Sequence, residues 1–567
     1  MIEETAPEEI FTTEDFTDEH RMIAKTASDF TEGQVVPRIP ELEEQEEGLM
    51  QELLRQAGEL GLLAAEIPEE YGGLGLDKIS SLIITENIAK GGSFPIAHGA
   101  HTGLAIAPVV FFGSEEQKAK YLPHLASGEK IGAYALTEPA AGSDALNTKT
   151  TAALSPDGQF YVLNGSKQFI TNAGYADLII TYAKVDGEQF TAFIIDRERD
   201  VVSLGNEEKK MGIRGSSTRS IILEDTKVPV ANLLGEIGKG HLVAFNILNM
   251  GRFRLGAGCL GASKVALRDA ISYSRDRVQF GKSICNFGLI KQKLAEMAIR
   301  IYVLESMMYR TGGLVEEVLK DADTKKGSEL VKRVEEYAIE CSINKIFGSE
   351  VLDFVVDESL QIFGGYGYSQ EYPVERYYRD SRINRIFEGT NEINRLLIPG
   401  MLMKRAMKGD LPLVSAAKKL SDELLTLLPA VDMDERAKVA MAKKAAILLA
   451  GISGQKYQEK LRDEQEILGI LSDICIEIYA MESALLRALK YPDNTATKLK
   501  ITKVYMNDAV ERIAHLGRIL LATMEKGDVL RTQLAALRKL IRYEPYDTIS
   551  ARRSISDMAV EIGGYPF

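Results

Sequence analysis

The amino-acid sequence predicts an α+β multidomain protein in which helical domains flank a central β domain. Apolar residues recur every three to four positions up to about residue 130 and again from about residue 242, as in amphipathic helices. Between these parts, short β-rich segments are separated by turn sequences such as Asn164–Gly165 and Asp186–Gly187. The length of 567 residues exceeds one domain and fits three or four. The predicted domains are an N-terminal helical domain (1–130), a central β domain (131–240), a helical domain (241–400) and an extra C-terminal helical extension (401–567).

The N-terminal part contains two strongly periodic segments, EHRMIAKTASDFTEGQVV and QELLRQAGELGLLAAEI. Pro68 and the glycines of EEYGGLGLD interrupt the pattern. The later segment HTGLAIAPVVFFG is small and apolar on all sides, so we expect it to be buried. His98 and His101 lie three positions apart in this region. Two histidines without a neighbouring carboxylate or cysteine do not predict a metal site.

The central part begins with the loop YALTEPAAGSD and continues as FYVL, KQFIT, DLIITYAKV, FTAFIID and RSIILED. Asn-Gly and Asp-Gly pairs between such segments are strong hairpin signals, so we predict antiparallel strands with turns at Pro156–Gly158, Asn164–Gly165 and Asp186–Gly187. The small residues of the first loop leave backbone amides exposed, and such a loop can approach a phosphate or an aromatic ring. On residue types alone, an ordinary turn at a strand end is the simpler interpretation.

The helical period returns after VPVANLLGEIGKGH and holds from about Leu242 to Gly400. The tail from about Asp410 has apolar stripes of its own, so we predict a folded bundle there. Its end is basic, and a basic amphipathic helix can make peripheral contact with a membrane, although packing against the main body is the simpler explanation. The basic residues are Arg538, Lys539, Arg542, Arg552 and Arg553.

Composition and missing motifs exclude several classes of protein. The net charge of −14 argues against nucleic acid as a partner. We expect no apolar run long enough to cross a bilayer, and the acidic N-terminus lacks a signal-peptide pattern. Four scattered cysteines without a CxxC pair fit a reducing compartment, so we expect a cytoplasmic protein. No complete P-loop, HExxH or GxSxG motif is present, and no GxGxxG motif follows a predicted strand.

One carboxylate, Glu388 in RIFEGTNEI, stands where a helical pattern ends. It follows the apolar pair Ile386 and Phe387 and precedes Gly389. Apolar surroundings would raise the pKa of this carboxyl towards the range useful for a general base. Thr390 can cap the helix that follows. On residue types alone, a surface acid near a helix start remains the simpler interpretation.

Five motifs, in this order along the chain, resemble the acyl-CoA dehydrogenase family. YALTEPAAGSD and FIT resemble two flavin-contacting segments, RDRVQFGK an arginine–phenylalanine–glycine segment, QIFGGYGY the last cofactor segment, and RIFEGTNEI the catalytic-base motif. INRIFEGTNEI, EKKMGI and NFGLIKQKLAEM are most similar to the very-long-chain branch, which also carries a C-terminal helical extension. The resemblance covers about residues 15–400. It implies that the central domain is antiparallel and β-barrel-like and that the third is a four-helix bundle.

The family resemblance also implies an activity, namely FAD-dependent oxidation of a fatty acyl-CoA, of long chain by its branch, to trans-2-enoyl-CoA in fatty acid β-oxidation. Glu388 would remove the α-proton and flavin N5 would accept the β-hydride. The backbone N–H of Glu388 and a ribityl hydroxyl would hold the thioester oxygen. Some relatives place the base immediately before the arginine that is Arg252 here. That position is Gly251, which strengthens the assignment to Glu388.

Carried over residue by residue, the resemblance assigns cofactor and substrate positions but no metal. The cofactor-binding residues are Tyr134, Leu136, Thr137, Gly142, Ser143, Phe169, Ile170, Thr171, Arg277, Gln279, Phe287, Gly288, Gln361, Ile362, Phe363, Gly364, Gly365, Thr390, Asn391 and Glu392. The substrate-binding residues are Ser143, Asn249, Arg252, Phe387 and Gly389. Asn249 stands where some relatives have aspartate.

The resemblance further implies two protein partners. Electron-transferring flavoprotein would accept the electrons, and a second copy of the chain would complete the cofactor site. We expect a homodimer, because in extended relatives the tail fills the space of a second dimer. Two alternatives stay open, namely an acyl-CoA oxidase that uses oxygen and a non-catalytic scaffold on the same fold. An intact Glu388 argues against the scaffold.

Overall fold

The computed structural model describes residues 4–320, 327–426, 433–491 and 495–567. The order of elements is helices, a β domain, helices and a helical extension, which confirms the predicted α+β multidomain fold.

The N-terminal helices precede the sheet and pack around a core of their own. Side-chain caps start several of them, including Thr17, Asp77 and Ser114, each of which accepts a backbone N–H of the first turn. Their bounds are α1 (Asp18–Phe30), α2 (Ile39–Glu43), α3 (Leu49–Glu59), α4 (Lys78–Ile88), α5 (Phe94–Gly99), α6 (Ala107–Phe112) and α7 (Glu115–Ala126), with a π-helical stretch (Ala100–Ile106) joining α5 to α6.

The helical stretch Phe94–Phe112 is long and apolar enough to cross a membrane by length and composition, and 72% of its apolar window is buried inside the protein. The expectation that the chain contains no such run is therefore wrong. The expectation that this segment is buried holds, and core helices pass the same test of composition. His98 and His101 in it bond the carbonyls of Leu62 and Leu125. Burial lowers the pKa of both imidazoles to about 4, so they are neutral core residues at pH 7.

The central domain is an eight-stranded sheet in the order β6-β7-β3-β2-β4-β5-β8, with β1 paired to β4. Most pairs are antiparallel, whereas β1 and β2 run parallel to β4. The strands are β1 (Gly132–Ala135), β2 (Thr151–Leu154), β3 (Phe160–Thr171), β4 (Leu178–Val185), β5 (Gln189–Asp196), β6 (Ser203–Leu204), β7 (Thr218–Pro229) and β8 (Leu233–Leu234).

Two of the three predicted turns are present and one is wrong. Pro156–Gly158 joins β2 to β3, and Asp186–Gly187 joins β4 to β5 with positive φ at both residues. Asn164–Gly165 instead lies inside β3, where the register with β7 shifts as in a β-bulge. A Cβ on Gly165 would come within 2.5 Å of Thr150 Oγ1, so this glycine permits a close approach of β2 and not a reversal of the chain.

The second helical domain is built around α8, whose 37 residues extend about 55 Å. A small hairpin follows α8, and a 3₁₀ turn (Arg382–Arg385) precedes the last helix. The elements are α8 (Gly240–Asp276), β9 (Val278–Gln279), β10 (Lys282–Ser283), α9 (Gly288–Leu319), α10 (Gly327–Glu335), α11 (Ala338–Phe363), α12 (Pro373–Ser381) and α13 (Asn391–Lys408).

The C-terminal extension is folded, as predicted, and shares one hydrophobic core with α8, α9 and α11. Arg552, one of its basic residues, is mostly buried and pairs with Glu296 of α9 and Asp508, so its charge joins the extension to the main body. The helices are α14 (Leu413–Thr426), α15 (Glu435–Tyr457), α16 (Gln465–Lys490), α17 (Thr495–Met524), α18 (Gly527–Leu540) and α19 (Thr548–Ile562).

Candidate active site

Glu388 lies in a short turn between the 3₁₀ turn 382–385 and α13. Its φ is +56° and that of Gly389 is +79°, so two consecutive residues adopt left-handed backbone conformations. This conformation is uncommon for a residue with a side chain, and it persists only where surrounding contacts enforce it. Thr390 ends the turn as the N-cap of α13, its hydroxyl accepting the Ile393 N–H at 3.3 Å. The predicted cap is thus confirmed.

Three side chains hold the carbonyl groups of this turn. Arg252 Nε on α8 donates to the Glu388 carbonyl at 3.0 Å. Lys345 Nζ on α11 and Asn394 Nδ2 on α13 donate to the Gly389 carbonyl at 2.9 and 2.8 Å. Donors from three helices therefore fix a strained turn, which sets the direction of the Glu388 side chain.

The Glu388 carboxylate lies over Gly251 of α8. A Cβ built on Gly251 would be 2.7 Å from Oε2, so only glycine leaves room for the carboxylate at this place. Oε2 is buried and has no hydrogen-bond partner among the described residues. Burial raises the pKa of this carboxyl to about 7, against the opposing effect of the Arg252 and Lys345 cations. The raised pKa agrees with the expectation from sequence, although the enclosing cavity causes it, and Ile386 itself is exposed.

The backbone N–H of Glu388 has no acceptor within the described parts of the chain. A free N–H beside a carboxylate that can take a proton offers a donor for an oxygen that becomes negatively charged. The carboxylate and this N–H donor belong to one residue, so the turn that orients one also orients the other.

Glu388 faces a cavity of about 220 Å³ enclosed by α4, the α5–π-helical segment, α8, α11 and α12. On α8, the lining runs from Gly251 to Val265, fourteen residues or about 21 Å. Many lining groups near its middle are small, which leaves a channel and not a filled core. They are Gly99, Ala100, Gly103, Gly258 and Ala262.

Seventeen of the twenty predicted cofactor residues fall into two groups, and the first group reaches this cavity through Thr171. Thr171 of β3 lines it together with Glu388 and Phe387. Burial raises the pKa of Tyr134 of β1 well above its usual value, and the nearby Glu388 charge adds to this rise. Thr137 and Thr171 are half-buried, and each carries a hydroxyl that can hydrogen-bond a polar ring system. The remaining members, Leu136, Gly142, Ser143, Phe169 and Ile170, belong to the same two segments.

A buried ion pair shapes the loop of this first group. Glu138 lies beneath the loop, 2.7 Å from Lys167 Nζ, and accepts the Lys149 N–H at 2.6 Å. Above it, Gly142 is exposed, and a Cβ there would meet no atom within 4 Å. The loop thus has a rigid base and an open backbone, which fits a flat aromatic cofactor.

The second group lies around the β9–β10 hairpin and the glycine-rich turn Gly364–Tyr368, mostly at the surface, whereas its members Ile362 and Phe363 are buried. Arg277 is stacked over the Tyr366 ring at 5.7 Å, which brings the two segments together. The other members, Gln279, Phe287, Gly288, Gln361, Ile362, Phe363, Gly364 and Gly365, belong to these segments or adjoin them. None of the second group lines the Glu388 cavity.

The other predicted residues occupy varied environments. Phe387 lines the cavity, whereas Ser143 is exposed on the loop. Asn249 and Arg252 are buried and bond each other at 2.9 Å. Asn391 is also buried, and Lys345, Ser349 and Glu350 occupy its polar atoms. Thr390 is half-buried and Glu392 exposed, at the start of α13.

Sequence reasoning missed Lys345, Asn394 and the Glu138–Lys167 pair. Lys345 lies in NKIFGSE, where its neighbours give no sign that the ammonium is buried. Asn394 is four residues into a helix and resembles any polar helix residue. Glu138 was within a quoted motif, and a partner 29 residues away has no local signal.

Comparisons with known proteins agree along nearly the whole chain. Family descriptions "Acyl-CoA dehydrogenase, N-terminal domain" and "middle domain" match residues 17–129 and 133–226. Two descriptions "Acyl-CoA dehydrogenase, C-terminal domain" match residues 238–402 and 441–539. The second of these falls in the helical extension.

Similar proteins include a probable acyl-CoA dehydrogenase of Bacillus subtilis (strain 168), 52% identical over 566 residues, which are 98% of this chain and 95% of that protein. The mitochondrial very long-chain specific acyl-CoA dehydrogenase of Rattus norvegicus is 37% identical over 477 residues, 78% of this chain and 70% of that protein. A crystal structure of an acyl-CoA dehydrogenase complexed with FAD from Bacillus anthracis is 50% identical, with a TM-score of 0.98 over 100% of this chain and 98% of that one. The chain therefore belongs to the acyl-CoA dehydrogenase family, whose members are FAD-dependent oxidoreductases.

Proposed function

We propose that this enzyme oxidises long-chain fatty acyl-CoA thioesters to trans-2-enoyl-CoA, with Glu388 as the base that removes the α-proton. The observation that carries the proposal is the Glu388 carboxylate, unpaired at Oε2 and facing a deep channel, with its own N–H free beside it. A thioester carbonyl makes the α-proton acidic when its oxygen is stabilised, and the Glu388 N–H supplies such a donor. FAD, when bound, accepts the hydride that leaves the β-carbon. Thr137 and Thr171 are the side chains that would hydrogen-bond its ring.

The length of the channel supports a long acyl chain. Successive carbons, joined by bonds of about 1.5 Å, advance roughly 1.3 Å each in an extended zigzag, so about 21 Å holds roughly sixteen of them. The lining is mostly apolar or small, which fits methylene groups. The resemblance to the very-long-chain branch points the same way.

Bleaching of the yellow enzyme by an acyl-CoA series under anaerobic conditions tests the activity directly. We expect hexadecanoyl-CoA to reduce the bound cofactor and release its enoyl product, and butanoyl-CoA to act far less efficiently. Electron-transferring flavoprotein is the acceptor that we propose, in fatty acid β-oxidation in the cytoplasm. Stoichiometric hydrogen peroxide during turnover in air would instead identify an oxidase.

The pKa of Glu388 predicts the pH dependence of this reaction. The base acts as a carboxylate, and its pKa is raised to about 7. The rate constant of cofactor reduction should therefore be constant above pH 8 and fall about tenfold per unit below pH 6. Stopped-flow measurements from pH 5.5 to 9 at saturating substrate would show this fall of the rate at low pH, which is the acid limb of the pH profile. A rate that is flat down to pH 5.5 would contradict the assignment.

The outer group of cofactor residues supports a homodimer. Three large apolar side chains, Phe280, Tyr368 and Leu289, are 94%, 87% and 76% exposed within or beside these segments. Exposed apolar patches of this kind mark interaction surfaces. A second subunit that covers them would add its atoms next to Arg277 and Gly364, where the resemblance implies the pyrophosphate and adenine end of the cofactor.

Replacing Phe280 by aspartate is therefore expected to produce a monomer that retains little FAD, because the charge would be buried at the interface. Light scattering and the flavin absorbance of the purified protein measure the two effects. Val201→Asp, which alters another exposed apolar residue, is the control and should remain a dimer with FAD. A Phe280→Asp protein that stays dimeric and yellow, or a wild-type tetramer, would contradict the proposal.

A further inference from the structure

Lys345 is a fully buried cation at the catalytic turn that neither the sequence motifs nor the proposed chemistry assigns. It lies on α11 with a relative exposure of 0%. Its Nζ donates to the Gly389 carbonyl at 2.9 Å and to Asn391 Oδ1 at 2.6 Å. These two acceptors stand on either side of Thr390, the N-cap of α13. One ammonium group therefore joins the left-handed turn to the start of the helix.

The second of these contacts is itself anchored. Asn391 Nδ2 donates to Ser349 Oγ at 3.0 Å and to Glu350 Oε1 at 3.1 Å, both on α11. The start of α13 is thus tied to α11 through three polar side chains, of which Lys345 and Ser349 are fully buried and Glu350 is partly exposed. Because the turn carries left-handed dihedrals at Glu388 and Gly389, loss of one of the two donors to the Gly389 carbonyl would weaken the contacts that hold the turn in this conformation.

The hydrogen-bond acceptors of Lys345 are neutral oxygens, and no carboxylate forms an ion pair with it in the described structure. The charged and titratable groups that face Glu388 are Arg252 from α8, Lys345 from α11 and Tyr134 from β1. Burial lowers the pKa of Lys345 to about 8, and the Glu388 charge is among the effects that oppose this. The ammonium and the carboxylate therefore stabilise each other in a common low-dielectric region.

We propose that Lys345 is a positioning residue for Glu388: its hydrogen bonds hold the turn that aims the carboxylate, and its charge favours the ionised form of that carboxylate. The inference rests on the proposed role of Glu388 as the base. It adds a polar role for α11 at the site, where this helix also lines the channel with the apolar Leu352 and Val356.

Two substitutions separate the hydrogen bonds from the charge. Lys345→Met removes both, whereas Lys345→Gln keeps an amide donor and removes only the charge. In single-turnover reduction by hexadecanoyl-CoA, we expect the acid limb to move up by about one pH unit in both variants, because a neighbouring cation is lost. At pH 9, where Glu388 is ionised in all forms, Lys345→Gln should stay within about threefold of wild type and Lys345→Met should fall at least tenfold. If the methionine variant does not fold, the shift of the acid limb in the glutamine variant tests the proposal by itself.

Lys443→Gln is a matched control, since Lys443 is another buried lysine but pairs with Glu482 in the extension. We expect its pH profile to equal that of wild type. A second readout does not depend on turnover. Infrared difference spectra against Glu388→Gln report the C=O stretch of protonated Glu388, which should persist to higher pH in both Lys345 variants.

An acid limb and a carboxyl band that do not move in either Lys345 variant would overturn the inference, even if the rates fall. A rate of Lys345→Met at pH 9 equal to wild type would overturn the positioning role. Failure of the proposed function looks different. In that case Glu388→Gln itself would still reduce the cofactor, whatever the Lys345 variants do.

Discussion

Replacing Glu388 by glutamine is expected to lower the rate constant for cofactor reduction by at least about 10³-fold, because the variant keeps the shape of the side chain but has no basic oxygen. Structure supports the expectation at two points. The Glu388 carboxylate lines the channel together with Thr171, and Gly251, at the alternative base position, has no side chain. Anaerobic stopped-flow reduction by hexadecanoyl-CoA measures the effect. Glu388→Asp retracts the carboxylate by one methylene, so its rate constant should lie between those of wild type and Glu388→Gln.

The stability of the same variant distinguishes lost chemistry from misfolding. The pKa of Glu388 is about 7 in the folded protein and about 4.5 in an ordinary environment, so the folded state holds this proton more tightly than the unfolded chain does. Its buried charge therefore reduces stability fully above pH 7, and this cost disappears as the pH falls towards 4.5. Glu388→Gln should accordingly have a higher Tm than wild type at pH 8, and the difference should shrink towards pH 5.

A Glu388→Gln protein that loses activity together with Tm at pH 8 would indicate that the side chain is mainly structural. Retained cofactor reduction in this variant would exclude Glu388 as the base. Gly251→Ala offers an independent check on geometry, since the new methyl group would lie 2.7 Å from the carboxylate oxygen and must displace it. We expect it to reduce the rate without removing the acid limb.

The parts of this site that were predictable from sequence are those whose residues are close together in the chain. RIFEGTNEI contains Glu388, the proposed base, with its N–H and the cap Thr390, so one local motif defines most of the turn. The domain order was equally readable, because helical and β periodicity differ. Asn164–Gly165 shows the limit. The pair favours a hairpin locally, but the twelve residues of β3 pair with β7 throughout, and this tertiary pairing prevails over the turn preference.

What could not be predicted depends on contacts between distant segments. Lys345 and Arg252 contact the Glu388–Gly389 turn across 44 and 136 residues, and neither carries a local signal of that contact. The same holds for Arg552, which sequence alone associates with a basic surface but which pairs with carboxylates of α9 and α17. The length of the channel is also a tertiary property, since side-chain volumes have meaning only once α4, α8 and α11 are placed.

A bulky residue in the channel is expected to shorten the acyl chains that the enzyme accepts, in proportion to its position on α8. Ala262 lies eleven residues, or about 16 Å, from Gly251, and Gly258 lies seven residues, or about 10 Å, from it. Ala262→Phe should therefore spare octanoyl-CoA and impair hexadecanoyl-CoA. Gly258→Leu should impair the oxidation of octanoyl-CoA and hexadecanoyl-CoA and spare that of hexanoyl-CoA. The nearest atom to a Cβ at Gly258 is 3.9 Å away, so a larger side chain there projects into the channel.

The size of the effect follows from the burial of methylene groups. Excluding four methylenes at about 0.8 kcal/mol each removes about 3 kcal/mol, so kcat/KM for hexadecanoyl-CoA should fall roughly 100- to 200-fold in Ala262→Phe. Octanoyl-CoA should change less than about threefold, which no general loss of stability would produce. Arg268→Ala, on an exposed part of the same helix, is the control. A uniform loss with every chain length would show that the acyl group does not follow α8, and the long-chain assignment would then lose its structural support, since the reach of the channel along this helix is its basis.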